Sequence, residues 1–151
     1  MILKFGSEFR RGRNPNTPGS GLRRKVLIVE DEESLRTMLH TLLESLGCLC
    51  TTVPGAGEAL DLLRRKTYDA IVLDLYCSNN AAGQIISGIM EMQPTLIEEV
   101  LVIDGEATDS KTMQVLQSHR CPMISRDHIL HDLWDNLQRV FRARQPPSQA
   151  A

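Results

Sequence analysis

From Lys25 onward, the chain alternates between short apolar runs and longer stretches in which apolar residues recur every three or four positions. The first pattern is typical of buried strands and the second of amphipathic helices. The apolar runs predict strands at residues 25–29, 48–53, 69–74, 99–103 and 122–124. The other stretches predict helices at about residues 35–46, 59–66, 84–92, 109–118 and 129–142. Five strands that alternate with five helices predict an α/β fold, a doubly wound parallel sheet with helices on both faces.

Single residues mark several ends of these elements. Gly47 follows the last apolar position of the first helix, which is typical of a helix end. Pro54 and Gly55 end the second strand. Thr108 is predicted as the N-cap of the fourth helix. Pro122 predicts that the short fifth strand lies at an edge of the sheet.

Length and composition fit one folded domain, which we predict at residues 24–144. The chain has 151 residues, 42% of them hydrophobic, and a formal net charge of −2. That charge argues against direct binding to nucleic acid or to a membrane surface. Residues 1–23 are rich in basic residues, proline and glycine, so we predict a flexible leader, part of it derived from a cloning junction. Residues 145–151 are predicted to be a disordered tail.

The four cysteines form no CxxC pair, which argues against a zinc site. We expect them to be reduced thiols, as is usual in a cytoplasmic protein.

Acidic residues follow or end three of the predicted strands. Glu30 and Asp31 come directly after the first strand, Asp74 ends the third, and Asp104 follows the fourth. In a parallel sheet of this kind, ligands bind beyond the carboxyl ends of the strands. Clustered carboxylates suit a hard cation such as Mg²⁺, and one of them is a candidate acceptor of a phosphoryl group.

The chain resembles a known family over roughly residues 24–144. The segments that carry the resemblance are KVLIVEDEESLRTMLHTLLESLG, DAIVLDL and the order of the five strand–helix units. They resemble the receiver domain of two-component response regulators, of the chemotaxis-regulator type. The resemblance implies a flavodoxin-like fold and a signalling domain rather than an enzyme, with slow autophosphatase chemistry at most. A magnesium-dependent phosphatase is disfavoured, because Asp74-Leu75-Tyr76 lacks the second acid of that family's DxD pattern.

The resemblance also implies roles for individual residues. Asp74 corresponds to the phosphoacceptor, which takes its phosphoryl group from a sensor histidine kinase. Glu30, Asp31 and Asp74, with the backbone carbonyl of Tyr76, correspond to the ligands of Mg²⁺. The downstream partner is a protein that the sequence does not identify, and a homodimer stays open.

Three positions depart from the family pattern. Asp104 stands where the family has a threonine or serine, Arg126 stands in place of a lysine, and Met123 replaces an aromatic residue. Two like charges about 4 Å apart cost about 4 kcal/mol at an effective dielectric of about 20, so Asp104 opposes a phosphoryl group nearby. We expect Asp104 to pair with Arg126 instead. The alternative function is therefore a pseudo-receiver, an interaction module that works without phosphorylation.

Overall fold

The computed structural model describes residues 23–105 and 109–143. The strands are β1 (Lys25–Val29), β2 (Leu49–Val53), β3 (Ala70–Asp74), β4 (Val100–Ile103) and β5 (Met123–Ile124). The helices are α1 (Glu33–Ser45), α2 (Ala56–Arg65), α3 (Ala81–Met92), α4 (Ser110–Ser118) and α5 (Ile129–Ala143). Two 3₁₀ turns, Pro94–Glu99 and Arg126–His128, precede β4 and α5.

The five strands form one parallel sheet in the order β2-β1-β3-β4-β5. All five residues of β3 are buried, and so are four of the five in β1. Such continuous apolar runs form strands because both faces of the sheet are covered. The predicted fold class, including β5 at an edge, is confirmed.

Two hydrophobic clusters lie on opposite faces of the sheet. Leu27 and Val29 of β1 belong to one cluster, with residues of α2, α3 and α4. Val26 and Ile28 belong to the other, with residues of α1 and α5. Because side chains alternate along a strand, β1, β3 and β4 each contribute to both clusters. The apolar spacing of α5 is therefore explained by its packing against the sheet.

Several predicted helix starts differ from the structure, since α1 and α2 begin at Glu33 and Ala56 rather than at about residues 35 and 59. Asp109 is the N-cap of α4, because its side chain accepts a hydrogen bond from the Thr112 backbone N–H at 2.8 Å. The prediction of Thr108 as the cap is wrong, and Thr108 itself lies outside the described residues. Helix α3 begins at Ala81 rather than at Gln84. Its first turn consists of small residues, so it lacks the large apolar side chains by which a helix is recognised in a sequence.

The predicted leader and tail lie outside the described residues, apart from Arg23, and the domain boundaries stay predictions. Across residues 23–105 and 109–143, no helix combines the length and the apolar character that crossing a membrane requires. The cysteines are free thiols, Cys48 and Cys77 being buried. Burial raises the pKa of Cys48 to about 12, so this thiol is chemically quiet at neutral pH.

Candidate functional site

Two buried carboxylates lie side by side at the carboxyl edge of the sheet. The register of β1 and β3 pairs Val29 with Leu73. Glu30 and Asp74 are the residues that follow this pair, so they lie next to each other. Glu30 exposes 0% of its surface and Asp74 exposes 1%. The structure thus brings these two predicted residues together. A buried carboxylate is stable only if it is protonated or has a partner, and the two residues meet this need differently.

The buried carboxyl group of Glu30 is stabilised by protonation. Its Oε1 accepts a hydrogen bond from the backbone N–H of Glu32 at 3.0 Å. Its Oε2 is buried and accepts no hydrogen bond from the described residues. Burial, followed by the neighbouring Asp74, raises the pKa of Glu30 to about 8. The charge of Arg126 lowers the pKa of Glu30 less than burial and Asp74 raise it, so in the metal-free protein Glu30 is mostly protonated at neutral pH.

Asp31 is exposed and ionised, and it connects two loops. Its Oδ2 accepts hydrogen bonds from the Ser78 hydroxyl at 2.6 Å and from the Ser78 backbone N–H at 2.9 Å. Both bonds lower the pKa of Asp31, and the bond from the hydroxyl has the larger effect. The loop after β1 and the loop after β3 are therefore joined beside the two buried acids.

Hydrogen bonds and an ion pair stabilise the buried carboxylate of Asp74. Its Oδ1 accepts a hydrogen bond from the Tyr76 backbone N–H at 2.8 Å. Its Oδ2 accepts one from Nη1 of Arg126 at 2.6 Å. A charged pair at this distance is among the stronger hydrogen bonds in proteins. The buried carboxylate is thereby neutralised by a residue of the same chain.

The guanidinium of Arg126 has two further contacts. Its Nη2 lies 3.3 Å from Oε2 of Glu32, and its central carbon lies 4.6 Å from the centroid of the Tyr76 ring. Partial burial works against the charge of Arg126, but the hydrogen bond and the charge of Asp74 outweigh it and raise the pKa of the guanidinium. Arg126 therefore bridges the loops after β1, β3 and β5.

The predicted pairing of Asp104 with Arg126 is wrong. Arg126 instead forms ion pairs with Asp74 and Glu32. Asp104 is exposed, and its backbone N–H donates to the carbonyl of Ile124 at 2.8 Å. The physical reason is solvation: water stabilises an exposed carboxylate, whereas a buried one requires a charged partner. Arg126 therefore stabilises the structure more at Asp74 than it would at Asp104.

The carboxylates of Glu30 and Asp31 and the thiol of Cys77 offer atoms that lie within 4.8 Å of one another. The two acids fit Mg²⁺, which prefers oxygen ligands, and the unpartnered Oε2 of Glu30 favours a cation here. Burial raises the pKa of Cys77 to about 12, and a neutral thiol is a poor ligand for a hard cation. The roles of Asp74 and of the Tyr76 carbonyl as metal ligands stay predictions.

Two more positions shape the site. Met123 begins β5 and exposes 37% of its surface, with no aromatic ring at this position. A Cβ atom at Gly105 would lie 2.9 Å from the carbonyl carbon of Leu75 and from the backbone nitrogen of Tyr76. Only glycine allows the loop after β4 to approach the loop after β3 this closely.

Sequence reasoning missed four residues that build the site: Glu32, the Tyr76 ring, Ser78 and Gly105. All four lie within four residues of a predicted strand end, where a parallel sheet positions its ligands, and that proximity was a usable signal. Gly105, two residues after the end of β4, has a further signal, since glycine often marks a close approach between backbones.

A family model described as the response regulator receiver domain matches residues 26–136. Among curated proteins, the chain is 24% identical over 115 residues to the sensory/regulatory protein RpfC of Xanthomonas campestris, covering 75% of this chain. The chain spans only 16% of the length of RpfC. It is also 31% identical over 93 residues to a 14.6 kDa protein of Leptolyngbya boryana, with 62% of this chain and 71% of that protein covered.

Solved structures give the same fold. The receiver domain of a Francisella response regulator superposes with a TM-score of 0.69 at 17% identity, covering 82% of this chain and 100% of that one. The receiver domain of a sensor histidine kinase from Pseudomonas aeruginosa PAO1 has a TM-score of 0.68 at 21% identity, covering 80% and 99%. That domain was solved with a magnesium ion coordinated in its active-site cleft.

Proposed function

The chain belongs to the response regulator receiver domain family, and on that premise we propose that it accepts a phosphoryl group on Asp74 from a sensor histidine kinase. It then signals through contacts with another protein. Receiver domains are signalling domains of two-component systems. The acceptor residue, the Mg²⁺ requirement and the kinase partner are the parts of this function that we propose here.

The observation that carries the proposal is the surroundings of Asp74. This carboxylate ends β3, next to Glu30 and at the edge where the acids meet. A carboxylate oxygen can attack the phosphorus of a phosphohistidine, so that an O–P bond forms as the P–N bond breaks. The imidazole leaves and takes up a proton. Asp74 is suited to this role because a single hydrogen bond from a backbone N–H orients its Oδ1.

A magnesium site extends the same proposal. Glu30, Asp31 and Asp74, with the Tyr76 carbonyl, would hold Mg²⁺, whose charge offsets the negative charge that develops on the transferred group. The magnesium ion in the Pseudomonas domain supports this expectation. Glu30 would release its proton when the cation binds, because a metal ligand must be ionised.

Two residues tune the acceptor in opposite directions. Arg126 provides a positive charge within reach of groups attached to Asp74, as its 2.6 Å contact indicates. Asp104 adds a negative charge at the end of β4, the strand next to β3. We expect Asp104 to make the phosphorylated state less stable than it would be with a hydroxyl side chain at that position.

A second candidate function is an interaction module that works without phosphorylation. The contact of Arg126 with Asp74 favours it, because the acceptor is already neutralised by the chain itself. The absence of an aromatic residue at Met123 also favours it, since the signalling step that the family resemblance implies uses such a ring.

Beryllofluoride, which mimics a phosphoryl group on a carboxylate, distinguishes the two functions. It is added with Mg²⁺ to the wild-type protein, to Asp74→Asn and to Asp61→Asn, a control on the exposed face of α2, and amide chemical shifts are recorded by NMR. The acceptor function predicts shifts that spread from β3 to β4 and β5 in the wild type and in Asp61→Asn, and none in Asp74→Asn. No response of the wild type at millimolar Mg²⁺ would refute the acceptor function and leave the interaction module.

A further inference from the structure

Tyr76 carries a feature that the proposed function does not use. The residue is 44% exposed although it lies directly beside the buried acids. Its backbone N–H donates to Oδ1 of Asp74, while its ring faces the guanidinium of Arg126 at 4.6 Å. One residue therefore contacts the carboxylate through its backbone and the cation on that carboxylate through its side chain.

The Tyr76 ring also contacts the loop after β4. The Tyr76 ring packs against Gly105, where even one added Cβ would lie 2.8 Å from the ring carbon Cδ2. The ring thus lies between Gly105 and the guanidinium of Arg126. A positive charge over an aromatic face is attracted by the electrons of the ring. The ring thus acts as a support for the guanidinium.

We propose that Tyr76 is a positioning residue that, together with Glu32, holds the Arg126 guanidinium against Asp74 and so keeps the acceptor closed. Three contacts define this clamp: Asp74 at 2.6 Å, Glu32 at 3.3 Å and the Tyr76 ring at 4.6 Å. The inference rests on the proposed role of Asp74 as the acceptor. It adds that the closed state is built from this chain's own residues.

The clamp has a consequence for cations at the site. A guanidinium on Asp74 repels a second cation that approaches the same carboxylate, so Mg²⁺ binds well only when Arg126 moves away. An affinity is lowered by the fraction of molecules that are competent to bind. The cation–π contact contributes about 0.5–1 kcal/mol at a partly exposed site. Removing it should therefore raise the affinity for Mg²⁺ by about two- to five-fold, because RT is about 0.6 kcal/mol.

The test compares Tyr76→Leu with the conservative variant Tyr76→Phe. Leucine fills space beside Gly105 but has no aromatic face, whereas phenylalanine restores the ring without the hydroxyl. The first readout is the Nε–Hε NMR signal of Arg126 in chelator-treated protein, assigned by its loss in Arg126→Lys. We expect a sharp, slowly exchanging signal in the wild type and Tyr76→Phe, and a broadened, fast-exchanging one in Tyr76→Leu. The second readout is a titration with Mg²⁺ alone, followed by amide shifts.

The two readouts separate the clamp from the acceptor function. A sharp Arg126 signal in Tyr76→Leu would overturn the clamp, and so would an unchanged or weaker affinity for Mg²⁺ in that variant. If neither the wild type nor Tyr76→Leu bound Mg²⁺, the magnesium-dependent acceptor would be refuted, and the Arg126 signal alone would decide whether Tyr76 positions the guanidinium. Circular dichroism of each variant establishes that the fold is retained.

Discussion

The ion pair between Arg126 and Asp74 should contribute far more to stability than ion pairs on the surface of the same protein. The substitution Arg126→Met removes the charge while keeping a long apolar side chain. It leaves a carboxylate that is 1% exposed, next to the buried Glu30, without its charged partner. Removing one partner of a fully buried pair costs about 3–5 kcal/mol. The Arg126 side chain is 31% exposed, so solvent reduces the effect.

A magnitude follows from the geometry. Two unit charges with centres about 4 Å apart attract by about 4 kcal/mol at an effective dielectric of about 20. The partly exposed guanidinium loses some of that attraction to competition with water. We therefore expect Arg126→Met to lower the free energy of unfolding by about 2 kcal/mol.

The chain offers a matched control. Arg65 and Asp61 form an ion pair at 2.8 Å on α2, with side chains that are 60% and 61% exposed. Arg65→Met removes a contact of nearly the same length and should cost less than about 0.5 kcal/mol, as exposed helix pairs do. Because the two ion pairs have nearly the same length, the comparison isolates the effect of burial on stability.

Urea unfolding at pH 7 in the presence of a chelator measures both effects. Adding Asp74→Asn closes a double-mutant cycle, because the amide carries no charge that requires a partner. In that background Arg126→Met should cost less than half of what it costs in the wild type. The reasoning is wrong if Arg126→Met is no more harmful than Arg65→Met, or if Asp74→Asn leaves its cost unchanged.

Three further outcomes follow from the same site. Gly105→Ala should destabilise the protein by about 1–3 kcal/mol in urea unfolding, because the new Cβ meets backbone atoms at 2.9 Å. Gly57→Ala, whose Cβ would meet nothing within 4 Å, should be neutral or stabilising. Asp104→Thr should tighten binding of beryllofluoride with Mg²⁺ at least ten-fold, about 1.4 kcal/mol, by removing a like charge, and an unchanged affinity would contradict this. In metal-free protein, the pKa of Glu30 is about 8, whereas its ordinary value is 4.5. Between these two pH values the folded protein keeps a proton that the unfolded chain has released. Stability should therefore fall as the pH rises from about 4.5 to 8, and Glu30→Gln should flatten that slope.

The sequence was sufficient to predict the fold and to predict that Glu30 and Asp74 lie close together. Apolar runs and helical spacing predicted the alternation of strands and helices because the central strands β1, β3 and β4 are covered on both faces. The parallel order then required Glu30 and Asp74 to reach the same edge, since β1 and β3 are neighbours. Both inferences depend on chain order and periodicity, which a sequence displays directly.

The partner of Arg126 could not be predicted in the same way. Asp104 and Asp74 are both acids at strand ends, and the sequence does not reveal that one is exposed while the other is buried. That difference in solvation decides which acid takes the guanidinium. The N-cap of α4 was missed for a related reason, because Thr108 and Asp109 are adjacent residues of types that both cap helices.

The two candidate functions differ in degree, because both depend on one competition for Asp74. Without a cation, Glu30 is neutralised by a proton and Asp74 by Arg126, so Asp31 is left as the ionised acid without a cationic partner among these three. A closed state favoured by about 2 kcal/mol lowers an affinity by about thirty-fold. Such a factor weakens the response to Mg²⁺ and to a phosphoryl donor, but a tightly docked kinase can overcome it. If Asp74 is the acceptor, as we propose, the strength with which Tyr76 and Glu32 hold the Arg126 guanidinium should set how readily this domain responds to phosphorylation.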